Sequence, residues 1–177
     1  MTTNKRDLSI SMARANLIML FISIPLFIAQ FAVFLLSKDV DNIELTFNPT
    51  LLIIAIVLGI ATHEFIHGFS WMIFGHKPLS VIKFGFQWKT LTHYAHLKEP
   101  IEVSAYRIGA FMPGFILGVL PYILSLVIGD GNLFWFGVVH TAGAGGDWLV
   151  LWLTRNVQSG TLVEDHPTHA GCYVLEP

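Results

Sequence analysis

The chain has 177 residues, the length of one domain; 54% are hydrophobic and only 12% charged, against about a quarter charged in an ordinary soluble domain. So few charges cannot cover a water-soluble surface, and the class they indicate is an α-helical integral membrane protein. The net charge of -2 leaves no basic excess for phosphates, which excludes nucleic-acid binding driven by bulk charge, and the single cysteine, Cys172, excludes a disulfide framework.

In chain order, residues 1–16 form a polar cytoplasmic arm with an interfacial helical end. Four apolar runs follow, at 17–36, 51–74, 106–128 and 133–153, each near the 20 or so residues a helix needs to cross a bilayer. The first run has no small-residue cleavage site before Ser37 and Lys38, so it reads as a retained helix rather than a removed leader, kinked at Pro25. Residues 37–48, with Asp39, Asp41 and Glu44, form an acidic external loop, and Asn48-Pro49-Thr50 marks a turn and a helix start. Lys5, Arg6, Arg14, Lys77, Lys83, Lys89, Lys98, Arg107 and Arg155 all fall on one side of this layout, and only Lys38 falls on the other. The positive-inside rule then gives four transmembrane helices with both termini cytoplasmic.

Between the second and third helices, segment 79–105 changes character. Ile82, Phe84, Phe86 and Trp88 alternate with Lys83, Gly85, Gln87 and Lys89, the period of a half-buried strand, and further β-like runs lie at 91–96 and 101–103. The expectation is a small cytoplasmic-side β-hairpin or sheet; an amphipathic loop is the alternative. Met112-Pro113-Gly114 breaks or kinks the third helix, which is tolerated at membrane depth only where protein or a water-filled cavity receives the freed polar groups. In the fourth, Gly143-Ala144-Gly145-Gly146 lets another helix approach closely. Residues 154–177 read as a polar cytoplasmic tail, so 1–177 forms a single membrane-embedded domain.

The chemistry concentrates at His63-Glu64-Phe65-Ile66-His67 in the second apolar run. Positions four apart share a helix face, so His63 and His67 can grip one zinc ion, with Glu64 beside it. Zinc lowers the pKa of a coordinated water, and the carboxylate takes its proton as general base, which is the chemistry of a zinc peptidase. A catalytic zinc takes three protein ligands and a water. Counted down from the external face, Asp147 falls in the same layer as His63 and His67, and a carboxylate at that depth costs about 3 kcal/mol unless paired. Asp147 is therefore the leading third ligand, with His93, His96 and Glu99 as rivals. His140 shares a face with Asp147 about 10 Å higher, and either lines the cavity, bonds the oxyanion or bridges helices. Asp165 and His166 either fold over the cytoplasmic mouth of the site or form a solvated turn.

Together with Tyr94-Ala95-His96, Lys98-Glu99-Pro100, Tyr106-Arg107-Ile108-Gly109, Gly145-Gly146-Asp147 and Asp165-His166-Pro167, the motif resembles a bacterial membrane family described as "putative zincin peptidase", over roughly residues 55–175. More distantly the layout is similar to the site-2 protease group of intramembrane metalloproteases, in which one membrane helix supplies HExxH and a later one an aspartate. That resemblance implies one catalytic zinc held by His63, His67 and Asp147, Glu64 as the catalytic carboxylate, and no further cofactor. It also implies hydrolysis of membrane-protein or peptide substrates in the cytoplasmic half of a bacterial inner membrane. The aspartate of the site-2 group stands in an Asp-Gly context, whereas Asp147 is followed by Trp148. An exposed strand edge within 79–105 can hold an extended substrate by strand addition. The competing reading is a non-proteolytic protein that binds or transports a metal ion or protons through the same cluster.

Overall fold

A computed structural model describes residues 4–37, 47–88 and 92–176. The acidic stretch holding Lys38, Asp39, Asp41 and Glu44, together with Lys89 and Leu91, lies outside the described residues.

Among the described residues, three helices are long and apolar enough to cross a membrane: α1 (Met12–Leu36), α2 (Pro49–Gly75) and a composite third, Val103–Ile128. The composite runs from α3 (Val103–Pro113) through a π-helical stretch (Gly114–Val119) into α4 (Leu120–Ile128). At 1.5 Å per residue each is roughly 40 Å long, more than the ~30 Å hydrocarbon layer. Their apolar side chains face outward: Phe21, Ile53 and Leu58 are each more than 60% exposed. A surface of this kind suits lipid rather than water.

Local chemistry sets the helix ends. Ser11 caps α1 by accepting from the Arg14 amide, and Asn48 caps α2 by accepting from the Leu51 amide at 3.0 Å, with Pro49 at the first helical position. Glu102 caps α3, accepting from the amides of Ser104 (2.8 Å) and Ala105 (3.2 Å). The irregularity expected at Met112-Pro113-Gly114 is the π-helical stretch that begins at Gly114, since Pro113 has no amide proton for the regular ladder.

The run at 133–153, expected as one helix, is two: α5 (Gly131–Gly143) and α6 (Gly145–Thr154), meeting at Ala144. Three glycines around one alanine have little intrinsic helical preference to carry a helix through. The close approach expected of these small residues is divided among them. Ala144 is fully buried against Gly114 of the π-helical stretch, and Gly145 packs against Met19 of α1. Gly143 and Gly146 instead face open space.

The segment 79–105 contains the expected hairpin, β2 (Ile82–Gln87) antiparallel to β3 (Thr92–Leu97), with Ile82 opposite Leu97. The third β-like run is only β4 (Ile101–Glu102); Val103 already belongs to α3, three residues before the expected start. β4 joins a second sheet of order β1-β6-β5-β4, with β1 (Asn4–Ser11), β5 (Leu162–Asp165) and β6 (His169–Glu176). The arm expected to be polar with a helical end is thus a strand from Asn4 to Ser11, most of the tail from Leu162 to Glu176 is strand as well, and α1 begins at Met12. Each strand exists because of a partner far away in sequence: Asn4 pairs opposite Glu176, and Ile101 opposite Val163. The two ends of the described chain therefore lie side by side.

Among the described residues, two apolar clusters join the elements. One lies beneath the sheets, where Leu97, Val103, Val163 and Cys172 are fully buried and Trp71 joins them to α2. The other, around Phe34 and Phe134, joins α1 to α5. The Arg107 guanidinium on α3 donates to the carbonyls of Thr154 and Val157, which closes the C-terminal end of α6 and ties it to the first cluster.

Candidate metal centre

His63 and His67 lie one turn apart on α2, with ring centroids 5.0 Å apart. The ring of His67 is fixed on two sides. Its Nδ1 lies 2.9 Å from the Gly109 carbonyl oxygen, which can only accept, so Nδ1 carries a proton and, in the neutral ring, Nε2 has the lone pair. On its face, His67 stacks on Trp71 (5.6 Å, 27°), and Trp71 stacks in turn on Tyr106 (6.0 Å, 3°). Position 109 must be glycine for this arrangement, because a Cβ there would fall on the Trp71 indole.

Asp147 approaches from α6. The interruption at Ala144 creates a helix N-terminus inside the fourth apolar run, and Asp147 sits in the first turn of that helix, where free amides and the helix dipole favour a negative charge. Its Oδ2 is 3.0 Å from His63 Nε2 and its Oδ1 is 3.3 Å from His67 Nε2. One ligand atom from each residue lies within 4.8 Å of the other two, and this is the one such metal-capable group among the described residues.

The donor set fits zinc. With Nδ1 donating to Gly109, the lone pair of His67 Nε2 faces a carboxylate oxygen, and two acceptors at that distance need a cation or a proton between them. Two imidazole nitrogens and one carboxylate oxygen, grouped beside a cavity, are donors that zinc would take.

That cavity has a volume of about 400 Å³. Glu64 lines it beside the two histidines and Asp147, Gly143 and Gly146 form part of its wall, and β3 contributes His93, Tyr94, Ala95 and His96. Alternate residues of a strand point to opposite faces, so four in a row along one wall means that the strand presents its edge.

The other residues singled out in the sequence are placed as follows. His93 and His96 line the cavity but lie outside the three-residue group, and Glu99 pairs at the surface with Lys77 at 3.0 Å. His140 does not line the cavity: it is buried between α5 and α2, against Gly59 and Phe136, and its Nε2 has no hydrogen-bond partner among the described residues. Asp165, the last residue of β5, and His166, which follows it in the β5–β6 connection, both line the cavity. Asp165 accepts from His96 Nδ1 (2.9 Å), the Leu97 amide (3.2 Å) and the Tyr106 hydroxyl (2.7 Å). The hydrogen bond to Asp165 raises the His96 pKa, and the carboxylate's charge adds to it against partial burial and the nearby Lys83 and Lys98. His166 is pushed the other way, by burial and by His169, and its Nδ1 accepts from the amides of Thr168 and His169. Sequence reasoning missed the Gly109 carbonyl and the Tyr106 hydroxyl, since neither a backbone oxygen nor a lone tyrosine carries a pattern.

Residues 55–162 match the sequence model of a family described as "Putative zincin peptidase". The chain belongs to that family. The zincin match takes in His63, Glu64, His67, His96 and Asp147, and it stops short of Asp165 and His166. No curated protein and no solved structure matches this zincin-family chain.

Proposed function

We propose that the chain is a zinc-dependent, membrane-embedded peptidase in which His63, His67 and Asp147 hold one zinc ion and Glu64 is the general base. The convergence of these three residues from α2 and α6 carries the reading, and membership of the zincin family supports it. Zinc, when bound there, supplies Lewis acidity toward a water and a scissile carbonyl. Glu64 takes a proton from the attacking water and returns it to the leaving amine. His67 is kept in the ligating tautomer by the Gly109 carbonyl, and the N-terminus of α6 favours the ionised carboxylate of Asp147.

Residues 1–177 act as a single membrane-embedded unit. The α5–α6 pair recrosses the bilayer as a broken fourth span, with both ends of the chain on the cytoplasmic side of a bacterial inner membrane. The pairing of β1 with β6 supports placing the two ends together, and the clustering of Lys and Arg supports that side. Substrates are membrane proteins or peptides cut in the cytoplasmic half of the membrane, as in the site-2 group. An extended substrate segment lies along the edge of β3, beside the cavity. The alternative edge at 101–103 is less suited, because β4 is only two residues long and does not line the cavity.

The test uses protein purified in detergent, with zinc measured by elemental analysis and hydrolysis of labelled casein followed by fluorescence. Near-stoichiometric zinc is expected in the wild type, with loss in His67→Ala and Asp147→Ala. Glu64→Gln is expected to keep zinc and lose hydrolysis. Zinc retained in Asp147→Ala would remove Asp147 from the ligand set, and hydrolysis retained in Glu64→Gln would end the proposal.

A further inference from the structure

The cavity holds a second, independent constellation. The Asp165 carboxylate receives three hydrogen bonds from two elements: His96 Nδ1 and the Leu97 amide of β3 on one oxygen, and the Tyr106 hydroxyl of α3 on the other. A carboxylate bonded three ways does not swing, so it fixes the plane of the His96 ring. Tyr106 is itself held, its hydroxyl lying 3.2 Å from the Gly171 carbonyl and its ring stacked on Trp71. With Nδ1 committed to Asp165, the ring atom of His96 left to act is Nε2, which has no hydrogen-bond partner among the described residues. His96 lines the cavity that holds Glu64, His63, His67 and Asp147.

Other polar side chains on this wall are less suited to a fixed task. His166 spends both nitrogens within the β5–β6 connection, accepting amides at Nδ1 and meeting His169 and Tyr173 at Nε2. The His93 ring packs on Phe86 and, among the described residues, has no comparable anchor.

We infer that His96 is a further catalytic residue, a hydrogen-bond donor from Nε2 to the oxygen that becomes negative when a scissile carbonyl is attacked, with Asp165 as its positioning residue. The inference rests on the peptidase reading above. As the water oxygen bonds to the carbonyl carbon, the carbonyl π pair moves onto its oxygen, and His96 Nε2–H donates to that oxygen. On collapse the C–N bond breaks and its electron pair leaves with nitrogen. That nitrogen takes the proton Glu64 removed from the water. The products are a carboxylic acid and an amine, and His96 ends with the proton it began with.

Donation from Nε2 while Nδ1 donates to Asp165 requires the imidazolium form. Asp165 favours that form; Lys83, opposite His96 in the hairpin register, and Lys98 on the same strand oppose it. His166 across the cavity also bears on it.

The experiment compares purified wild type with His96→Gln, Asp165→Asn and Glu64→Gln. It reads zinc content, casein hydrolysis as kcat and KM, the pH profile of kcat/KM, and the His96 titration midpoint by deuterium exchange at its ring C2. His96→Gln is expected to keep zinc and KM while kcat falls about 10²-fold, the usual cost of one oxyanion donor. Asp165→Asn is expected to lower the His96 midpoint and to move the alkaline limb of the profile to lower pH. Zinc lost in His96→Gln would make His96 a ligand, and an unchanged kcat would leave it a bystander; either overturns the inference. So would a His96 midpoint that Asp165→Asn leaves unmoved, a readout that needs no turnover. Hydrolysis that survives in Glu64→Gln, or a wild type without zinc or hydrolysis, would overturn the peptidase reading and this inference with it. Glu64→Gln inactive beside a fully active His96→Gln would overturn this inference alone.

Discussion

Gly109→Ala tests whether the helix packing behind the metal group sets its affinity. A methyl on residue 109 would sit 2.8 Å from Trp71 Cε2 and closer still to Nε1 and Cδ1, so the indole must move. Trp71 has little room, because it is 4% exposed and sandwiched between His67 and Tyr106. Overpacking of this kind costs about 1–3 kcal/mol. The displaced indole also shifts the His67 ring off the Gly109 carbonyl, and loss of such an outer hydrogen bond weakens metal binding about 10–100-fold. The assay is zinc competition against a fluorescent chelator, beside a thermal melt in the same detergent. A lowered melting temperature with tenfold or weaker zinc affinity is expected. Gly146→Ala, whose methyl meets open space, is the control, expected to melt as wild type. Zinc affinity within twofold of wild type in Gly109→Ala would refute the claim that the Gly109–His67 contact orients the ligand.

Three further outcomes follow from separate parts of the molecule. Burial opposes ionisation of Glu102, yet hydrogen bonds from the Gly160, Ser104 and Ala105 amides and the Ser104 hydroxyl hold its carboxyl below the usual range. A depressed carboxyl stabilises the fold above its unfolded pKa, and that stabilisation is lost as pH falls through the folded one. Glu102→Gln should therefore lower the melting temperature at neutral pH, by the ~1 kcal/mol of a lost cap, and the gap to wild type should narrow on acidification. Burial, with Asp165 and Asp7 nearby, pushes the Cys172 thiol up to about 12, so maleimide at mildly alkaline pH should label it only after denaturation; rapid labelling of folded protein would contradict the packing beneath the sheet. Removing zinc with a strong chelator should lower the melting temperature reversibly, since free zinc at a hundred times its Kd stabilises by about 2.7 kcal/mol, and a melt indifferent to chelation would count against the metal centre.

Most of the candidate site was legible because its signals are local. Histidines four apart on a helix need no tertiary information to share a face, and a carboxylate inside an apolar run marks itself by its cost. The alternation from Ile82 to Trp88 likewise announces a hairpin. β1 carries a similar but weaker signal, Leu8 and Ile10 alternating with polar neighbours, yet a strand is recognisable only with its partner, and β6 lies more than 150 residues away. The division of the last apolar run at Ala144 is of the same kind. Its glycines permit a break, but the contacts of Ala144 with Gly114 and of Gly145 with Met19 put it there.

By itself, then, the sequence determined the apolar class of the chain, the His63–His67 motif and the choice of Asp147 as the acid to set beside it, because composition, helical period and run length are properties of the chain alone. Only the tertiary structure decided that Asp147 heads a separate helix facing both histidines, that the two chain ends share a sheet, and that Asp165 reaches His96 and Tyr106. Each of these brings together residues tens of positions apart, and the hydrogen bonds and close contacts that join them exist only once the helices have packed.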